Sequence, residues 1–407
     1  MSMRMSPAKI SKLQRLGCAF LLGSSLGMAE LFANPYSAIA AVLTLPDGGR
    51  CEGELVDGKL SGPGMCQYAS GDRYEGQFLN GKPHGKGTYT FKEEGRYQGE
   101  FADGEFNGQG VREFANGNRY EGTFKNGEFE GTGIFTSANG VRYEGTFTNG
   151  SPSGRGAFTF SNGTRCEGDI KEGKIQGKGV CQYANKNSYE GELLNNVPHG
   201  QGIFTFAEGG RYQGLFSEGQ FHGKGTREYA NGDRYEGEFV KGNAQGQGVF
   251  TFKEGGRYQG SFENGEFSGE GVREFANGNV YKGPFVKGKS EGKGTLTLAQ
   301  GGSYSGDFKD GKLNGKGVYT FANGNRYEGD FADGKMSGNG VYVFANGDRC
   351  EGEFREGQFS GKGRCIYANG DRYEGQFLNG QKHGQGSYIY ADGTKVEGSW
   401  QQGQIQK

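Results

Sequence analysis

The 407-residue chain lacks most of what an enzyme or a helical domain needs. Only 32% of it is hydrophobic, which excludes a thick core. No window carries the apolar spacing of an amphipathic helix. Neither sign of charge dominates: 46 lysines and arginines face 47 aspartates and glutamates, and without a basic excess a nucleic-acid binder is disfavoured. The four histidines, His84, His199, His222 and His383, are widely separated in sequence. No nucleophile–base constellation, pocket carboxylate pair or metal cluster stands out, so no catalytic residue, metal or cofactor is assigned and the chain reads as a non-enzyme.

What is abundant is glycine, with 83 residues, and the rings of 22 tyrosines and 31 phenylalanines. They recur with a 23-residue period that never slips. A Tyr-Glu-Gly-like triplet opens each repeat, at Cys51, Tyr74, Tyr97 and so on to Tyr373, and Val396 opens a partial one. Counting from that first residue, position 3 is glycine in all sixteen starts and positions 12 and 14 are glycine in all fifteen full repeats. Position 5 is phenylalanine in twelve of sixteen, and position 18 is aromatic in thirteen of fifteen. Every histidine falls at position 11, which is a structural, loop-side place.

Aromatic and polar residues alternate at period two, as in Tyr74, Glu75, Gln77 and Phe78, and Asn-Gly pairs such as Asn80-Gly81 suit tight turns. Each repeat reads as one β-hairpin in a meander. Glycine inside a strand normally weakens it. Its recurrence at position 3 implies a steric task, leaving room for an aromatic ring to lie flat across the backbone. The expected fold is all-β: an elongated, single-layer antiparallel β-meander of tandem hairpins, a twisted rod-like sheet on the order of 140 Å long at a strand spacing of about 4.8 Å.

The run from Tyr74 to Gly87, Tyr-Glu-Gly-Gln-Phe-Leu-Asn-Gly-Lys-Pro-His-Gly-Lys-Gly, closely resembles the MORN repeat. The resemblance extends over residues 51–395, and its main departure is phenylalanine where the family usually has tryptophan. It implies twisted antiparallel sheets acting as scaffolds, dimerisation surfaces or lipid-associated modules. The kinase or methyltransferase domains that accompany these repeats elsewhere have no counterpart here, so those activities do not carry over.

Residues 1–40 differ from the rest. Arg4, Lys9, Lys12 and Arg15 precede the apolar run Leu16–Ala29, and small-residue sites follow at Ala38–Ala40 and Gly27–Ala29. This reads as a secretory signal peptide, with an uncleaved N-terminal anchor as the alternative. Residues 41–50 match the end of a repeat and read as a capping strand, and 396–407 as a half-repeat cap. Six cysteines pair off at positions 1 and 16 of three repeats: Cys51 with Cys66, Cys166 with Cys181, Cys350 with Cys365. Two such replacements in one repeat suggest touching side chains, hence three hairpin-bridging disulfides and an oxidising compartment, with buried thiols as the alternative. The three repeats look like copies of one ancestral block, so they are not independent witnesses.

Arg112, Arg227 and Arg273 occupy position 16, on the expected aromatic face, in repeats opened by Tyr97, Tyr212 and Tyr258. Either these residues form a ligand face for an anion or sugar, or the arginines stack on neighbouring rings. Gly283–Ser290 satisfies the phosphate-loop pattern, but its glycines are ordinary repeat positions and no helix follows, so it is set aside. The expectation is an exported, periplasmic, envelope or secreted scaffold whose aromatic, glycine-lined face binds protein or a second copy. Binding to phospholipid surfaces or to cell-wall glycan stands as the alternative, and nucleic acid is not expected.

Overall fold

The structure, a computed structural model, describes residues 40–406. The segment read as a signal peptide or anchor lies outside them, apart from Ala40, which opens the first strand. The described residues are all-β, with 34 strands and no helix. They divide into two compact segments, 40–207 and 208–406. The first runs from strand Ala40–Thr44 to Val197–Thr205, the second from Gly210–Ser217 to Gln404–Ile405. In each, strands pair antiparallel with their neighbours in the chain, and a repeat contributes two, such as Arg73–Leu79 and Lys82–Phe91.

The register follows from the repeat. Within a hairpin Tyr74 faces Tyr89 and Gly76 faces Gly87, and a bulge then brings Phe78 opposite Pro83. Between repeats there is no bulge: Tyr89 faces Tyr97, Gly87 faces Gly99 and Gly85 faces Phe101. Positions 1, 3, 5, 14 and 16 therefore share one face, and positions 2, 4, 13 and 15 the other. The bulge needs a left-handed residue, and Gly85 at position 12 supplies it with φ 62°.

The two turns differ. At positions 7 and 8 both residues have positive φ, as at Asn80 (54°) and Gly81 (81°), the type I′ geometry that matches strand twist. Position 7 keeps that conformation whatever occupies it, including Lys287 at 48° and Glu356 at 50°. The second turn spans positions 18–22 and is stitched to the next one. The Asp72 carboxylate accepts the Lys92 amide at 2.9 Å, Asn118 accepts that of Ala138, and Asp371 that of Ala391. Opposite, most position-8 amides donate to a carbonyl of the preceding repeat, as Gly81 N does to Leu60 O at 2.8 Å.

With one layer and no second sheet, the core is the aromatic face closed on itself. The position-1 tyrosines are fully buried and the position-5 phenylalanines nearly so. Tyr74 meets Phe78 of its own repeat edge-on at 5.0 Å and Phe101 of the next at 4.9 Å. The same two contacts recur at Tyr258 with Phe262 and Phe285. Each edge-to-face pair is worth about 0.5–1.5 kcal/mol beyond its area, so this ladder adds to the strand pairing that joins one repeat to the next.

Candidate binding surface

The glycines at positions 3 and 14 are the floor on which each tyrosine lies. A methyl on Gly271 would stand 2.5 Å from Tyr258 Cε2, and one on Gly110 would stand 2.5 Å from the Tyr97 hydroxyl. The covering ring comes from the glycines' own repeat. Its hydroxyl then donates to a backbone carbonyl at position 4: Tyr97 to Glu100 at 2.8 Å, Tyr212 to Leu215 at 2.8 Å, Tyr258 to Ser261 at 2.9 Å. In these three repeats a phenylalanine at position 10 seals the outer side. Phe106, Phe221 and Phe267 stack on the three tyrosines at 3.8, 3.9 and 3.9 Å. Burial pushes the phenols up, to about 12 for Tyr212 and Tyr258 and beyond that for Tyr97.

These tyrosines are among the residues named for a ligand face. Tyr97, Tyr212 and Tyr258 are enclosed between backbone and ring, with their hydroxyls already bonded. The arginines beside them are also absorbed. The Arg112 guanidinium sits 3.9 Å from the Phe91 ring centre and 4.9 Å from that of Phe114, the position-18 residues of two successive repeats. Arg273 is held in the same way by Phe252 at 3.4 Å and Phe275 at 5.2 Å, and Arg227 lies 5.1 Å from Tyr229. Burial lowers the Arg112 pKa to about 10 against the opposing pull of Glu94, and it lowers Arg227 and Arg273 as well. The stacking reading fits all three.

A signal for these arginines was present in the sequence. In the repeat before each, position 22 is glycine: Gly95, Gly210 and Gly256. The strand there starts early, with Gly256 pairing Phe275, and a methyl on Gly256 would stand within 3.0 Å of Ala276 N. In most other repeats position 22 carries an acid or amide, and Asp72 and Asp371 accept bonds from Tyr89 and Tyr388 at position 16. Arginine replaces the ring after three of the four such glycines; after Gly302, whose repeat has Leu298 in place of the position-18 ring, position 16 stays Tyr319.

The three cysteine pairs are bonded, with Cα–Cα distances of 4.0, 4.0 and 4.1 Å. The space left by the missing tyrosine is filled from position 10. Ile175 Cγ2 lies 2.6 Å from where a methyl on Gly168 would be, and Ile175 is wholly buried. Leu60 and Phe359 take the corresponding places.

The opposite face of the glycine row is open. In the second segment it forms a shallow trough of about 700 Å³ lined by Lys316, Val318, Glu328, Asn339, Val341 and Glu351, with Gly317, Gly329, Gly340 and Gly352 along the floor. A second hollow of about 560 Å³ continues from Glu351 and Gly352 towards Gln385. Charges on the walls are mutually paired: Lys316 with Asp330 at 2.6 Å, Arg326 with Glu328 at 2.6 Å, Arg364 with Glu351 at 2.9 Å. Backbone and half-buried valines, with no net field, are what the trough offers. Among the described residues no group of three or more His, Cys, Asp or Glu is placed to hold a metal.

No curated protein sequence matches the chain significantly. Among solved structures it overlaps the TCP domain of SAS-4 (dCPAP) of Drosophila melanogaster, in complex with a proline-rich motif of Ana2, at 14% identity, 44% of this chain, 85% of that one and TM-score 0.21. The TCP10 domain of Danio rerio CPAP, with a STIL peptide, overlaps at 11% identity, 71% and 98% coverage and TM-score 0.17. A virginiamycin B lyase from Staphylococcus aureus does so at 9%, 69% and 88%, and 0.12. Overlaps this small carry no weight for fold or function. The MORN repeat model, by contrast, matches fifteen consecutive stretches, from 51–73 to 373–395, without a gap. Those boundaries coincide with the hairpins, the tyrosine lids and the disulfide repeats described above, and the chain belongs to the MORN repeat family.

Proposed function

We propose that the chain is a non-catalytic binding scaffold that takes a protein partner on its polar, glycine-floored face and works in an exported, oxidising compartment. The observation that carries the reading is the division of the two faces. The tyrosines close one side of the glycine row over Gly329 and Gly340, while the other side of the same glycines stays uncovered between Val318, Val341, Glu328 and Glu351. A surface without side chains at its centre admits close approach by another backbone. Its paired charges favour neither an anionic membrane nor nucleic acid. Glycan stacking loses its platform, because the position-1 and position-5 rings are buried. The exported setting rests on the sequence of residues 1–40 and on the three cysteine pairs.

A photoreactive phenylalanine placed at Val318 or Val341, and at Phe344 on the tyrosine side, tests the reading in the native cells. Crosslinks to a discrete protein from the first two sites and none from the third are expected. Crosslinks confined to Phe344, or absent at all three sites in a folded protein, would sink it. Intact mass of the protein from those cells checks the compartment: loss of the N-terminal segment and a gain of six hydrogens on reduction are expected.

A further inference from the structure

We propose that the strand Ala40–Thr44 of one copy docks on the strand Lys395–Gln401 of another and completes, between two molecules, the hairpin that opens at Val396. The inference is independent of the trough.

Counted in repeat positions, Ala40–Arg50 carries positions 13–23 and Val396–Gln406 carries positions 1–11. The two stretches are complementary parts of one repeat. Each is seated in the regular register on its inner side. Val42, Leu43 and Thr44 face Glu52, Cys51 and Arg50, as positions 15, 16 and 17 do at the other junctions. Lys395–Gln401 pairs with Gln381–Ile389 in the same way, Val396 facing Tyr388 and Gly398 facing Gly386.

Each is incompletely paired on its outer side. Among the described residues Ala40–Thr44 has no second partner strand. Lys395–Gln401 is covered there, among the described residues, only where Trp400 and Gln401 meet Ile405 and Gln404, with one further bond from Gln406 N to Ser399 O at 2.8 Å. Among the described residues Lys395 to Gly398 have no partner strand on that side, and in the complete hairpins positions 23, 1 and 2 face positions 17 to 15, with position 3 facing position 14 in all but the Tyr281 hairpin. Arg372, Tyr373, Glu374 and Gly375, for instance, face Ile389, Tyr388, Ser387 and Gly386. Supplied by a second copy, the partners are Thr44, Leu43, Val42 and Ala41. An edge of unpaired amides and carbonyls is a template for such strand addition.

The side chains fit the same register. Position 14 is glycine in all fifteen full repeats, and Ala41 is the exception. Position 1 is tyrosine or cysteine in all fifteen, and Val396 is the exception. The ring that forbids a methyl at position 14 is therefore missing from the one hairpin in which a methyl would stand there. Val396 and Leu43 would meet as an apolar pair at positions 1 and 16, the places bridged by the chain's own disulfides. The contact is heterologous, so each molecule offers one edge of each kind and the association can propagate or close into a ring.

The disulfide geometry supplies the test. In a Cys18→Ser background, Leu43→Cys is prepared as one protein and Val396→Cys as another, and the two are mixed under mild oxidation. A disulfide-linked heterodimer is expected, with a yield that rises with concentration and with neither variant crosslinking to itself. Thr44→Cys mixed with Lys395→Cys reads the neighbouring rung and is expected to behave the same way. Intact mass showing the three native disulfides establishes that the variants are folded. Folded variants that stay separate in both mixtures, or cysteines that crosslink only when placed together in one chain, would overturn the proposal.

Discussion

The ring of Tyr258 lies flat on Gly271, so close that a methyl there would stand 2.5 Å from its Cε2 atom. The clash is with a ring already boxed in by Phe267 on its outer side, and neither can retreat. Gly271→Ala is expected to destabilise the second segment by roughly 2–4 kcal/mol, in the range of severe core lesions. The cost should shrink markedly in a Tyr258→Val background. Hydrogen exchange along Glu266–Phe275 reads both changes. A cost unaffected by removing the ring would mean that the backbone, and not the tyrosine, demands glycine.

Alkali should unfold the chain cooperatively. Burial raises the phenols of Tyr143, Tyr212, Tyr235, Tyr258, Tyr281, Tyr304, Tyr327 and Tyr373 from an ordinary value near 10 to about 12. The unfolded chain releases these protons near pH 10 and the folded chain holds them to about 12. Between those values the folded state binds more protons, so stability falls as pH rises, by about 1.4 kcal/mol per pH unit for each such tyrosine. Below pH 10 the contribution is fully present. The phenolate absorbance contributed by these buried tyrosines should therefore rise in one step together with loss of the β-sheet circular dichroism. Complete ionisation of all the tyrosines with the β signal intact would contradict this.

The disulfide repeats should convert to tyrosine repeats only if position 10 changes with them. Cys166→Tyr collides with Ile175, which occupies the ring's place over Gly168. Replacing Cys166, Cys181 and Ile175 by the Tyr, Phe and Pro found at positions 1, 16 and 10 of the preceding repeat (Tyr143, Phe158, Pro152) is expected to fold. Removing the bond alone, with Cys166→Ala and Cys181→Ala, should cost about 3 kcal/mol for a loop of this size. Thermal unfolding in the two backgrounds compares them, and a triple replacement no better than Cys166→Tyr alone would refute the account.

Lys241 and Lys287 sit at position 7 with φ of 49° and 48°, where asparagine is at ease and lysine is strained. Lys241→Asn and Lys287→Asn are each expected to stabilise by about 0.5–1 kcal/mol and to add when combined, since the turns lie two repeats apart. Denaturant midpoints check both. No gain at either site would mean that the lysine side chains make compensating contacts.

The period, the hairpins, the position-7 turns and the cysteine partners were legible because each is a spacing along one chain. Cys51 and Cys66 face each other because positions 1 and 16 do in every hairpin. The assignment of faces was legible only in part. Period two places Tyr97 and Arg112 on one side, and the position-3 glycine implied a ring lying flat on the backbone, but neither says that the ring is that of the same repeat or that it seals that side. That depends on a side-chain rotamer, on the hydroxyl finding the Glu100 carbonyl and on Phe106 stacking outside it. The arginine sandwich needs position-18 rings from two repeats at once, and its marker, glycine at position 22 of a repeat that also has a ring at position 18, is visible only once the turn is seen to open into strand. The trough was missed because it is made of what is absent, the bare side of a glycine row.

Each disulfide joins residues fifteen apart within one hairpin, and none joins one repeat to the next. This bears on how the chain acquires its bonds. Six cysteines allow 15 pairings, yet the nearest wrong partner for Cys66 downstream is Cys166, a hundred residues away. Closing that larger loop costs roughly 1.7 kcal/mol more than closing the native one. Oxidation therefore favours the native set before the sheet has formed, and a reduced, unfolded chain carries most of the information for re-forming its bonds in the spacing of its cysteines alone.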